Sequence, residues 1–281
     1  MILVFGETGQ VARSLADLSG PREMVFLDRT HADLSDPATC AAQILRHSPS
    51  VVINAAAYTA VDRAEEEEAL ALTINGHAPG AMAQLCAGEG IPFLHISTDY
   101  VFAGTGEAAH KVGDPVDPQN AYGRTKLAGE DAVRAAGGPH AILRTSWVFS
   151  EYGANFVKTM LRLSETRDAL NVVDDQIGGP TPARGIAAAL LTMADAMRDG
   201  QGGGTYHYAG APATSWAGFA RETFARAGRD VAVTGIPTAD YPTPAARPLN
   251  SRLDCATLDT DFGLQPADWQ AELTRILKDL T

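Results

Sequence analysis

Tyr122 and Lys126 stand four positions apart in Ala-Tyr122-Gly-Arg-Thr-Lys126-Leu-Ala-Gly. Residues i and i+4 share one face of a helix, so a phenol and an ammonium can meet over a single bound ligand. A fixed cation favours phenolate, and such a Tyr can exchange a proton with a carbonyl or alcohol oxygen near neutral pH. The same spacing also describes an amphipathic helix carrying a half-buried Tyr and a solvated Lys. The elements around the pair decide between these readings.

Residues 1–6, Met-Ile-Leu-Val-Phe-Gly6, form an apolar run suited to a buried parallel strand, and Gly6-Glu-Thr-Gly9-Gln-Val-Ala12 follows at once. This is a dinucleotide fingerprint with Ala in the third small position. Gly6 allows the tight turn, Gly9 lets backbone approach a pyrophosphate, and Ala12 permits close helix packing. The helix that begins there aims its free N–H groups at phosphate. Downstream, strand and helix patterns alternate, which implies a parallel sheet covered on both faces. Strands are expected at 24–28, 50–57, 92–97 and 141–147, and a helix at 38–47 with Ser35 or Asp36 as its N-cap.

Ligands on open parallel sheets bind outside the carboxyl ends of the strands. Gly6 to Val11, Asp28 and Arg29, Ala57 to Thr59, Ser97 to Asp99, and Trp147 all fall at such ends. An acidic residue after the second strand favours NAD through the ribose 2′-OH, and an Arg there accommodates the extra phosphate of NADP. Asp28-Arg29 supplies both. The run Asp62 with Glu65 to Glu68 reads as a solvated helix face. Trp147 reads either as a ligand contact or as core packing.

The chain has 281 residues, 45% hydrophobic and 20% charged, which suits a large domain with a smaller companion. A net charge of −12 argues against broad nucleic-acid or anionic-membrane binding. Cys40, Cys86 and Cys255 are widely spaced, so neither a disulfide framework nor a zinc knuckle is expected, and a reducing cytoplasm fits best. No secretory signal, membrane span or metal-ligand spacing is read in the chain.

Further landmarks carry a resemblance. They are Asn54-Ala-Ala-Ala-Tyr-Thr-Ala-Val-Asp62-Arg-Ala-Glu65, Ser97-Thr98-Asp99-Tyr100-Val101-Phe102, Asn120-Ala-Tyr122-Gly-Arg-Thr-Lys126-Leu-Ala-Gly-Glu130, Leu143-Arg144-Thr145-Ser146-Trp147-Val148-Phe149, Asp175-Gln176-Ile-Gly-Gly-Pro180-Thr181 and Arg247-Pro248-Leu-Asn-Ser-Arg252-Leu-Asp254. With the opening glycine turn, they resemble the extended short-chain dehydrogenase/reductase family, in order from residue 1 to about 254. The Asp62 and Ser97 to Phe102 segments favour its sugar-nucleotide 4-keto reductases over its epimerases and dehydratases.

The resemblance implies an oxidoreductase of dTDP-rhamnose biosynthesis. It would reduce the C4 ketone of dTDP-4-dehydro-β-L-rhamnose with NADPH, NADH also being accepted. Thr98 would hold the ketone, Tyr122 would donate the proton, and Lys126 would bind the nicotinamide ribose and lower the Tyr pKa. Gly9, Gln10 and Val11 would line the pyrophosphate, Asp33 and Leu34 the adenine, and Ala57, Tyr58 and Thr59 the middle of the cofactor. Asp99 and Trp147 would contact the sugar nucleotide. Arg247 and Arg252 read either as a clamp on the substrate diphosphate or as surface ion pairs. Other readings on the same fold are an epimerase, a reductase of another keto sugar, and a non-catalytic NADP-binding regulatory subunit of methionine adenosyltransferase type.

The expected fold is α/β: a Rossmann-type doubly wound parallel sheet over residues 1–147, and a smaller α/β substrate domain over 148–281 from which some segments return to the first. Helices are expected at 151–163, 184–197 and 215–227, with a strand at 205–208. Relatives that dimerise around magnesium carry a glutamate after the glycine turn. Here that stretch is Ala12-Arg13-Ser14-Leu15. The expectation is a monomer or a magnesium-independent homodimer.

Overall fold

The computed structural model describes residues 1–280. Strand β1 (Ile2–Phe5) leads through the glycine turn into α1 (Gln10–Asp17), then β2 (Met24–Leu27), α2 (Pro37–His47) and β3 (Val51–Asn54). Two short helices, α3 (Val61–Ala64) and α4 (Glu68–Leu72), run through a π-helical turn at Thr73–His77 into α5 (Ala78–Glu89). Next come β4 (Phe93–Thr98), α6 (Ala121–Ala136) and β5 (His140–Thr145).

The local chemistry explains where the helices begin and end. Asp36 caps α2 by accepting from Thr39 N at 3.2 Å, with Pro37 at the first helical position. Asn120 caps α6 by accepting from Gly123 N at 2.8 Å, and Gly137 at φ 74° closes it.

After β5 the chain forms β6 (Val148–Phe149), α7 (Phe156–Ser164), β7 (Ala169–Val173), β8 (Ile177–Gly178) and β9 (Thr181–Pro182). It then returns to the first sheet through α8 (Ala183–Arg198) and β10 (Gly204–His207). The resulting six-stranded sheet has the order β10-β5-β4-β3-β1-β2, and every neighbouring pair is parallel. Alternation in β1 sorts its side chains. Ile2 and Val4 join Leu15 of α1 and Ile186 and Leu190 of α8, and Leu3 and Phe5 join Ile44 of α2 and Met82 of α5. Both faces are thus covered, as a parallel sheet requires.

The second half keeps its own core. Phe149, Val157 and Phe219 pack with Trp269, Leu273 and Ile276 beneath α7, α9 (Trp216–Ala227) and the C-terminal helix Trp269–Leu280. Helix α9 starts at its Ser215 cap and stops at Gly228, φ 63°.

The helix expected at 151–163 begins only at Phe156, because Asn155 takes the cap position and accepts from Lys158 N. Residues 150–155 instead form a strap across α1. Gln10 Oε1 accepts from Ser150 Oγ at 2.8 Å and from Asn155 Nδ2 at 3.1 Å. Tyr152 donates to Asp17 at 2.5 Å, and Arg13 lies 4.1 Å above its ring.

Candidate active site

A cleft of about 820 Å³ lies over the carboxyl ends of β1, β3 and β4, where the strand order reverses. Its floor is the glycine turn. Gly6 sits at φ 105°, where a side chain would be strained. Gly9 is the N-cap of α1 without any side-chain cap, and the space where its Cβ would stand is open. Backbone donors at that helix end are therefore accessible to an anion. Ala12 is fully buried, allowing α1 to lie close on the sheet.

Asp28, Arg29, Asp33 and Leu34 form the rim after β2, and Ala57 and Thr59 the wall after β3. Asp28 Oδ1 accepts from Thr30 Oγ1 at 2.7 Å and from the N–H groups of Thr30 and His31. The Thr30 hydroxyl, then His31, hold its carboxyl well below the usual range. Arg29 reaches Asp33 at 3.0 Å and is otherwise 77% exposed. Tyr58, expected beside the cofactor with its neighbours, is not among the residues lining the cleft. Its hydroxyl donates to Glu67 at 2.6 Å, and its N–H donates to Asn75.

Thr98, Tyr122 and Lys126 all line the cleft. Helix α6 reaches it because Gly123 carries no side chain, since a Cβ there would stand 2.3 Å from the carbonyl oxygen of Tyr100. The rings of Tyr100 and Tyr122 meet edge to face, centroids 5.5 Å apart. Burial pushes the Tyr122 phenol up to about 12; the Thr98 hydroxyl pulls it down and Asp99 pushes it further up. Lys126 lies one turn further along the same helix. Its Nζ donates to Ile96 O at 2.7 Å and lies 3.2 Å from His95 Nε2, and burial brings the ammonium down to about 8 against the opposing pull of Glu130.

Asp99 is buried beside this group. Burial pushes its carboxyl up to about 6 despite the Ser251 and Thr98 hydroxyls. Thr98 Oγ1 donates to its Oδ1 at 3.0 Å, and Oδ2 has no hydrogen-bond partner among the described residues.

The family described as RmlD substrate binding domain matches residues 1–281, the whole length. The chain belongs to that family. It is 43% identical over 284 residues to a dTDP-4-dehydrorhamnose reductase of Sinorhizobium fredii, covering 98% of this chain and 96% of that protein. A solved dTDP-4-dehydrorhamnose reductase of Clostridium acetobutylicum superimposes with a TM-score of 0.94 at 37% identity, covering 99% of each chain. Another from Bacillus anthracis, in complex with NADP, gives 0.91 at 33% identity over 99% of this chain and 98% of that one.

In this RmlD-family chain the cleft also takes a wall from the second half that local sequence reading missed. Trp216, at the first turn of α9, stacks on Trp147 with centroids 3.6 Å apart and 13° between planes, and both line the cleft. Trp147 holds φ 49°, a strained value for an aromatic residue, and Gly178 makes room for its indole. Trp147 is only partly buried. The only local signal at Trp216 is the Ser215 cap, which predicts a helix start and says nothing about the cleft.

Arg247 and Arg252 stand outside this cleft wall. Arg247 lines a small adjoining pocket with Tyr100 and Asn120, and its Nη2 is 2.8 Å from Asp62 Oδ2. Arg252 donates to Asn250 Oδ1 at 3.0 Å. The acidic run is also more than a solvated face. Asp62 pairs with Arg247, Glu65 accepts from Ala121 N at 2.8 Å at the start of α6, and Glu68 pairs with Arg124. Among the described residues no three His, Cys, Asp or Glu side chains converge on a metal position, and no helix is long and apolar enough to cross a membrane.

Proposed function

We propose that this chain is a dTDP-4-dehydrorhamnose reductase, reducing the C4 ketone of dTDP-4-dehydro-β-L-rhamnose to the alcohol of dTDP-β-L-rhamnose at the expense of NADPH, with NADH also accepted. The observation that carries the reading is that Thr98, Tyr122 and Lys126 share one cleft with an uncapped glycine turn, in a chain of the RmlD family.

The residues present fit a dinucleotide. Gly6, Gly9 and Val11 would receive its pyrophosphate, Leu34 and Asp33 its adenine side, and Ala57 and Thr59 its middle. The exposed Arg29, beside an Asp28 already engaged by Thr30 and His31, favours the 2′-phosphate of NADPH. When bound, the nicotinamide supplies the hydride for C4.

The protein supplies the proton and the positioning. With its pKa held near 12, Tyr122 stays protonated at neutral pH and is a loaded acid for the alkoxide oxygen. Thr98 Oγ1 orients the ketone oxygen and Lys126 holds the ribose side. Asp99, Trp147 and Trp216 contact the sugar nucleotide. Arg247, and Arg252 with it, would meet the diphosphate if the substrate extends into the adjoining pocket. A cytoplasmic location and a monomer or magnesium-independent homodimer complete the proposal.

The test is NADPH consumption with dTDP-4-dehydro-L-rhamnose made in situ from dTDP-glucose by the preceding reactions. Stoichiometric cofactor oxidation with dTDP-rhamnose as product supports the reading. Tightly retained NAD with no net consumption points to an epimerase, and no turnover with a stoichiometric protein partner points to a regulatory subunit.

A further inference from the structure

Gln176 stands where two strand registers meet. Strand β7 runs parallel to Ala232–Ile236 with Val173 beside Ile236, so two residues further along each chain Asp175 meets Thr238. Thr214–Ser215 pairs antiparallel with β8, Ser215 beside Ile177, so one residue beyond that pair Trp216 falls opposite Gln176. The side chains use both meetings. Asp175 Oδ1 accepts from Thr238 Oγ1 at 2.6 Å, and both carboxylate oxygens accept from Thr238 N–H at 2.9 Å. Thr238 Oγ1 accepts from Gln176 Nε2 at 3.1 Å, and Gln176 Oε1 accepts from Trp216 Nε1 at 3.1 Å.

The direction of this chain of bonds is determined from its acidic end. A carboxylate only accepts, so the single hydroxyl hydrogen of Thr238 goes to Asp175 and Oγ1 offers a lone pair to Gln176. That places the amide NH₂ of Gln176 toward Thr238 and its oxygen toward the indole N–H, which only donates. Turning the amide over would set oxygen against oxygen at one end and two donors against each other at the other. Gln176 is buried, so water does not repair a wrong orientation. We propose that Gln176, oriented by Thr238 and Asp175, is a positioning residue that holds the Trp216 wall of the cleft.

Stacking on Trp147 sets the plane of the Trp216 indole but lets the ring slide within it, and a hydrogen bond at one edge removes that freedom. The neighbours of Gln176 serve the same turn. Asp174 accepts from Ser215 Oγ, which in turn caps α9 by accepting from Gly218 N at 2.9 Å. Gly178 leaves the space that the Trp147 indole occupies. Residues 174–178 thus align both indoles. Asp175, Gln176 and Thr238 are not among the residues lining the cleft, so they act on a ligand through Trp216. The consequence for turnover rests on the function proposed above: an indole released from Gln176 binds the sugar nucleotide less well, while proton transfer from Tyr122 is left in place.

The test begins on the full chain without cofactor or substrate, so it can fail independently of the proposed function. Trp147, Trp216 and Trp269 are all the tryptophans, and the indole N–H of Trp216 is the ¹H–¹⁵N resonance absent from Trp216→Phe. In the wild type it is expected to exchange with solvent at least about tenfold more slowly than an indole in an unfolded peptide. Thr238→Val keeps the shape of the turn and removes the hydroxyl, and should abolish that protection; Thr238→Ser should restore it. With dTDP-4-dehydro-L-rhamnose, Thr238→Val should raise KM for the sugar nucleotide about threefold to fivefold, with kcat and KM for NADPH unchanged and Thr238→Ser again restoring the wild-type value. A Trp216 N–H that is unprotected in the wild type, or indifferent to Thr238→Val, overturns the proposal. An unchanged KM in a variant whose indole has been released overturns its role in substrate binding. Absence of turnover in the wild type counts against the proposed function, and indole exchange still decides the positioning. Should Thr238→Val not fold, Thr238→Ala removes the same hydroxyl and takes its place.

Discussion

Tyr122 illustrates why residue type alone is an incomplete guide to acidity. Its i+4 partner is a lysine, but the ammonium is committed to Ile96 O and sits against His95, so burial controls the phenol. For a reduction this is the useful direction, since the group must arrive protonated. Tyr122→Phe keeps the packing against Tyr100 and removes the proton, so kcat should fall by about 10²–10⁴ with little change in folding. Steady-state rates alongside thermal melts would check this. Asp99, raised by burial in the same direction, bears on stability. Its folded pKa is raised, so its contribution is complete below the unfolded value of 3.8 and is lost as pH rises through about 6. Asp99→Asn should therefore be the more stable protein above about pH 6, by roughly 3 kcal/mol at most. Denaturant titrations at acid and neutral pH should show that advantage vanish in acid.

At the scale of elements, α6 is the part on which the site depends. Asn120 caps it, Glu65 takes the N–H of Ala121, and Gly123 brings its first turn against the Tyr100 carbonyl. Gly123→Ala would force that turn away from β4, with a cost of about 1–3 kcal/mol from overpacking. Activity should fall more steeply than stability, because Tyr122 is displaced with the turn. Melting and kcat measured on the same preparation separate the two losses. The cap at Asp36 and the fingerprint glycines could be read locally, because each acts within one turn of chain. The strap at 150–155 could not, since Gln10, Arg13 and Asp17 belong to α1 and become its partners only after folding.

Across the whole molecule, the two halves meet at the indole pair. Trp147 follows the end of β5 and Trp216 opens α9, so their stack joins the carboxyl end of the sheet to the second core. Trp216→Leu should raise KM for the sugar nucleotide roughly tenfold, about 1.4 kcal/mol, while kcat changes less. Initial rates over a substrate series would show a kcat loss instead if Trp216 positioned the reacting atoms. The oligomer is a property of the same scale. Light scattering with and without magnesium should give one unchanged mass, and a magnesium-dependent doubling would refute the metal-independent assembly.

The sequence by itself determined the parallel α/β sheet, the order of its strands along the chain, the glycine turn and the Tyr122–Lys126 pair. Each is encoded in runs of a few residues whose periodicity, caps and special φ values act locally. Tertiary structure alone decided that Trp216 faces the cleft, that Arg247 pairs with Asp62, that Tyr58 bonds Glu67, and that α8 and β10 complete the first sheet. The physical reason is common to all four: these contacts join residues whose partners are selected by packing, and packing is a property of the assembled layers.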